Sequence, residues 1–140
     1  MKFSEHGNFQ LETDGNIIYY RVIGCWNKEA SKACLQELAK GFEQLKDKPI
    51  MMIVDSINFE GGIEEAYPLW HEDVPSWFES GMTHFIRIDD PESIRYHMFV
   101  ERMDKVMQEN VQFRFAADLN DAIKQAHSLG FSGFDHTLSH

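Results

Sequence analysis

Nucleophilic chemistry in this chain would need a nucleophile such as Cys25 or Ser56 with a histidine brought alongside it by the fold. Neither sits in a nucleophile elbow or in any motif that fixes such a base by spacing. The residues themselves therefore predict no catalytic group and no enzyme. Cys25 falls at the end of an expected strand and Cys34 inside an expected helix. They have neither a zinc spacing nor the density of a disulfide framework, and read as reduced structural thiols. His71-Glu72-Asp73 is a compact donor group, but His6, His84, His97, His127, His136 and His140 are scattered without an HExxH-type signature. The terminal HTLSH reads as an adventitious chelator. No metal and no other cofactor is expected. Gly61-Gly62 lacks the spaced glycine and lysine of a P-loop and reads as a tight turn.

What remains is recognition chemistry, concentrated in residues 49–78. An apolar run, IMMIV, stops at Asp55 and Ser56, crosses a turn holding Phe59, Glu60, Gly61 and Gly62, and enters a segment crowded with Tyr67, Trp70, Trp77 and Phe78. These ten residues are the candidates for a partner or ligand site. The aromatics either cover a sheet face or form a partly exposed patch, because two short helices cannot hide five aromatics on one narrow stripe. As a contact surface the patch would comprise the 55–62 turn with residues 64–78. As a lid it would cover a pocket lined by Tyr67, Trp70, Phe99 and Met103. Met98, Met103 and Met107 serve as core filler or as an adaptable apolar wall. Glu60, Glu64 and Glu65 surround the turn with negative charge, so phosphate is disfavoured at the helix start that follows.

Composition narrows the classes. The 140 residues suit one domain, with a core over about 8–130 and a tail at 131–140. A net charge of −10, from 23 acidic against 13 basic residues, argues against nucleic acid and anionic membranes as partners. The apolar runs fall far short of the ~20 residues needed to cross a bilayer, and MKFSEHGNF has no apolar signal region. No integral membrane segment is expected, and a cytoplasmic location is.

The elements that must position the site follow from periodicity. Residues 8–13 and 16–24 read as strands joined by Asp14-Gly15, a hairpin turn. Asn27 caps a helix over about 28–47, with Ala30, Cys34, Leu38, Phe42 and Leu45 on one stripe. A strand at 50–54 looks covered on both faces. Pro68 and Pro75 predict two short helices, about 63–72 and 75–80. A strand at 83–88 follows, then Asp90-Pro91 opens a helix running to about 110, with Tyr96, Phe99, Val100, Met103, Val106 and Met107 inward. A strand at 111–116, a helix capped by Asp118 and ended by Gly130, and a fraying tail in which Phe131 or Phe134 docks complete the chain. The sum is an α/β fold with a mixed sheet of about five strands, an antiparallel hairpin followed by parallel strands, and four to five helices. Ligands in such sheets gather beyond the carboxyl ends of the strands.

IIYYRVIGCWNKEA, PIMMIVDSINFEGG and VQFRFAADLNDAIKQA, in this order of elements, resemble the STAS family of anti-sigma-factor-antagonist-like (SpoIIAA-like) domains. The candidate branch is the stand-alone bacterial one that shares features with Sec14-type lipid-binding domains. The resemblance spans about residues 8–130 and rests on hydrophobic patterns. It implies a non-enzymatic regulatory or scaffold domain acting through protein contacts, self-association included. Its Sec14-like side implies a carrier or sensor of a small apolar ligand or lipid. The phosphorylatable serine of the regulatory members falls on Glu60-Gly61-Gly62-Ile63, which has no hydroxyl. Ser56 lies nearby but outside the switch position.

Overall fold

Gly15 and Asn16, one residue on from the expected Asp14-Gly15 pair, reverse the chain between β1 (Asn8–Asp14) and β2 (Ile17–Trp26), which pair antiparallel. Gly15 has φ +60°, and a Cβ there would lie 1.9 Å from the carbonyl oxygen of Ser132, so only glycine fits. β3 (Ile50–Asp55) pairs parallel with β2, and the short β4 (Phe59–Gly62) pairs parallel with the end of β2. β5 (Met82–Ile88) and β6 (Gln112–Ala116) extend the parallel part, giving the order β1-β2-β3-β5-β6. The protein is thus α/β with a six-stranded mixed sheet. The structure is a computed structural model and describes residues 8–62 and 64–135. Ile63, His6, His136, His140 and the HTLSH tail, all part of the sequence reading, lie outside the described residues.

Every crossover from β2 to β6 steps the same way across the sheet, and right-handed crossovers of one sense leave their helices on one face. That layer holds α1 (Lys28–Gln44), α2 (Tyr67–Glu79), α3 (Ile94–Phe99) and α4 (Glu101–Asn110). It covers Ile18, Tyr20, Met52, Val54 and Phe85. The other face, with Ile17, Tyr19, Met51, Ile53, Ile86 and Ile88, packs on α5 (Leu119–Ser128). Alternate residues of the central strands are therefore buried on opposite sides, which explains their unbroken apolar sequence.

The capping signals at Asn27 and Asp118 act as expected, each side chain accepting from a first-turn amide, that of Ala30 and of Asp121. Three expectations are corrected. Residues 64–79 form a 3-10 turn, Glu64–Ala66, running into the single helix α2 in place of the two expected short helices. Pro68 lies in its first turn, where amides lack intrahelical acceptors anyway, and the interior Pro75 lies on the exposed side while Val74 and Trp77 anchor the inner side.

The expected helix at 91–110 is two helices. Asp90 accepts from the amide of Glu92 in a local turn, Ser93 caps α3, and the chain bends at Val100 before α4. The tail does not fray through residue 135: Phe131 and Phe134 are buried, and the amide of Ser132 donates to the side chain of Asn16.

Candidate functional site

Parallel pairing puts Tyr20, Val54 and Arg87 in one row across β2, β3 and β5. All three side chains point into the four-helix layer, where they form the floor of a cavity of about 90 Å³. Val54 is short, and the longer Tyr20 and Arg87 flank it. Trp26 from the end of β2, Phe59 and Gly62 from β4, and Ser56 from the end of β3 make one wall. Tyr67 and Trp70 of α2 make another, and Phe99, Val100 and Met103 at the α3 to α4 bend close the third.

The walls are held by directional contacts. The Trp70 indole N–H donates to Ser31 Oγ over 2.9 Å, and its ring tilts against Trp26 at 6.2 Å between centroids. Phe59 meets Trp26 edge-on at 6.2 Å. The Arg102 guanidinium lies 3.6 Å from the centroid of the Tyr67 ring, tying α4 to the start of α2. Gly61 has φ +98°, and a Cβ on it would lie 2.7 Å from the Phe99 ring. Only glycine lets Phe99 approach this strand.

Arg87 is 5% exposed and its partner Asp104, on α4, 0%. Arg87 donates through Nε to both carboxylate oxygens, at 3.0 and 3.1 Å, and through Nη2 to Oδ1 at 2.7 Å, while the Tyr96 hydroxyl donates to Oδ2 at 2.7 Å. Burial disfavours the Arg87 charge, but the charge and hydrogen bonds of Asp104 outweigh it, with Tyr20 and Tyr96 adding. The guanidinium is held above its ordinary range. Burial, then the bond to Asp104 and its charge, push the Tyr96 hydroxyl well up, so it stays a donor.

A second buried cluster closes the carboxyl ends of β3 and β5. Ser56, 1% exposed, donates its hydroxyl to Asp89, which also accepts from Arg95 and from the amide of Asp90. Arg95 donates further to the carbonyls of Ser56, at 2.8 Å, and Phe59, at 3.2 Å, so α3 is latched to the turn before β4. The Ser56 hydroxyl is committed to a carboxylate rather than to a histidine. Burial, then Glu37, push the Cys34 thiol up, away from the reactive thiolate, and Cys25 is exposed at the sheet end. Among the described residues, no group of three or more His, Cys, Asp and Glu side chains could hold a metal ion. No described helix is long and apolar enough to cross a membrane.

The fold brings five of the ten candidates to the cavity: Ser56, Phe59, Gly62, Tyr67 and Trp70. Asp55 instead accepts from the amide of Ile57, Glu60 is exposed, and Gly61 backs Phe99. Trp77 is a core residue, stacked on Phe42 at 5.9 Å, and Phe78 packs against the same core. Gly61 and Gly62 belong to a strand and not to a helix start, so their amides serve no helix N-terminus.

Sequence reasoning missed Tyr20, Trp26, Ser31 and Arg87. For Arg87 a signal existed, a lone cation inside the apolar run HFIRI, since a buried charge must be paired or used. No protein-family model matches the chain, and no curated protein matches it.

Proposed function

We propose that this domain is a non-catalytic receptor for a small, largely apolar molecule, bound between the sheet and the bent aromatic segment. The observation that carries this reading is the inward turn of Phe59, Tyr67, Trp70, Phe99 and Met103 around open space at the carboxyl ends of the strands. Interiors are packed to crystal density with few voids, whereas ligand sites are concave, apolar and furnished with a few placed polar groups. The space admits a body of roughly one aromatic ring. The likeness of PIMMIVDSINFEGG and its flanking elements to STAS-type domains with Sec14-like features supports the same class of ligand.

Titration of the isotope-labelled protein with ethylbenzene, followed by NMR, is expected to give saturable shifts at the Trp70 indole and the Met103 methyl. Methyls of Ile53 and Ala122, on the far face, should stay in place. Absence of saturable shifts with ethylbenzene and with its oxygenated counterparts acetophenone and benzoate, up to the solubility of each, would sink the reading.

A regulatory contact surface is the second reading, favoured by a separate observation. Ile57, Ile94 and Met98 are 44%, 77% and 65% exposed. Ile94 and Met98 share one side of α3, the helix that Arg95 latches to the turn carrying Ile57. If this surface mediates self-association, sedimentation should show concentration-dependent dimers that Ile94→Glu with Met98→Glu abolishes. A wild-type protein that stays monomeric, or dimers indifferent to both changes, would remove self-association through it.

A further inference from the structure

The cavity is apolar in its walls but not in its floor. Tyr20, 5% exposed, makes no hydrogen bond to any described residue, and it lines the cavity. Arg87 spends Nε and Nη2 on Asp104, and its Nη1 bonds to no described residue. Tyr20 and Arg87 stand on either side of Val54 in one row of the sheet. With strands about 4.8 Å apart their Cα atoms are roughly 10 Å apart, so both long side chains can reach one atom above Val54. Among the described residues the one fully enclosed side-chain polar atom without a partner is Asn8 Nδ2, so Tyr20 Oη and Arg87 Nη1 are open to the cavity and their donors are available to whatever enters it.

We infer, resting on the receptor reading above, that the ligand carries a hydrogen-bond-accepting carbonyl or carboxylate oxygen at its inner end, received by Tyr20 Oη and Arg87 Nη1. The floor specifies an acceptor because of what it offers. A guanidinium has donors and no acceptor. Asp104, the one carboxylate paired with it, is already saturated by Arg87 and the Tyr96 hydroxyl. An amine would therefore meet a like charge and find no anion to accept from it. Burial, then the neighbouring Cys34, push the Tyr20 hydroxyl far up, although Arg87 opposes this, so it keeps its proton and remains a donor at neutral pH. The aromatic walls hold the body of the ligand by area, while the two donors set which end goes in.

The test uses three probes of matched ring size at neutral pH: ethylbenzene, acetophenone and benzoate. Tyr20→Phe deletes a hydroxyl that has no partner within the protein, so its melting temperature should equal or exceed that of the wild type, a control for folding. Acetophenone or benzoate, whichever binds the wild type more tightly, should lose about 3- to 10-fold in affinity in Tyr20→Phe, the worth of one hydrogen bond. Ethylbenzene should bind both proteins alike. Preference for acetophenone identifies a neutral carbonyl head, and preference for benzoate an anionic one; either upholds the inference. If ethylbenzene binds but Tyr20→Phe leaves both oxygenated probes unchanged, the cavity is a receptor without head recognition and the inference fails alone. If none of the three binds, the receptor reading fails with it.

Discussion

Asp104→Ala is expected to remove about 3–5 kcal/mol of folding stability, the usual cost of stripping one partner from a buried ion pair. Arg87 would be left 5% exposed with no counter-ion, and the Tyr96 hydroxyl would lose its acceptor. A domain of this size has about 5–15 kcal/mol in total, so the variant should be near its limit. The loss comes from the orphaned charge more than from any net attraction within the pair. Replacing the group as a whole, Arg87→Met with Asp104→Leu and Tyr96→Phe, should therefore recover most of it. Urea denaturation of the wild type, the single variant and the triple variant makes the comparison. A single variant within about 1 kcal/mol of the wild type would mean that the pair behaves as a solvated one.

Trp77→Ala should cost a similar amount, about 3–5 kcal/mol, whereas Trp70→Ala should cost markedly less. Trp77 is 2% exposed, stacks on Phe42, meets Trp70 edge-on at 6.2 Å, and donates its indole N–H to Asp73 at 2.8 Å. Its removal opens a hole in the centre of the layer. Trp70 is half-buried and already borders open space, so its loss widens the cavity and frees Ser31 without undermining the core. Thermal and urea unfolding should rank the two variants clearly. Equal losses would show that the cavity wall and the core are one packing unit. The ranking also decides how binding data are read, because a loss of ligand in Trp77→Ala follows from unfolding, and in Trp70→Ala from the site.

The bend at Val100 shows how the layer serves both purposes. A straight helix over 91–110 would carry Tyr96 and Asp104 eight residues apart along one rod. Broken at Val100, the chain lets the Tyr96 hydroxyl reach Asp104 while Phe99, Val100 and Met103 face the cavity. Neither Asp90 nor Pro91 could reveal this, since local start signals compete and Ser93 wins by capping the amide of Tyr96. The same limit applies to β4. Phe59-Glu60-Gly61-Gly62 reads as a turn by composition and becomes a strand because the end of β2 offers it backbone partners.

The sequence by itself determined the α/β class, the existence of the first hairpin to within one residue of its turn, the caps at Asn27 and Asp118, and the aromatic density of residues 59–78, because each depends on contacts within a few residues. It also offered Tyr67, Trp70, Phe99 and Met103 as the lining of a pocket beneath the bent aromatic segment, whose five aromatics exceed what two short helices can hide. Only the tertiary structure decided that Trp77 is core while Trp70 is wall, and that Tyr20 and Arg87 flank one valine on the floor. Those facts depend on strand register and on which helix face meets which row. Partners 33 or 67 residues apart, as Val54 is from Arg87 and Tyr20 is from Arg87, leave no periodic trace in the chain.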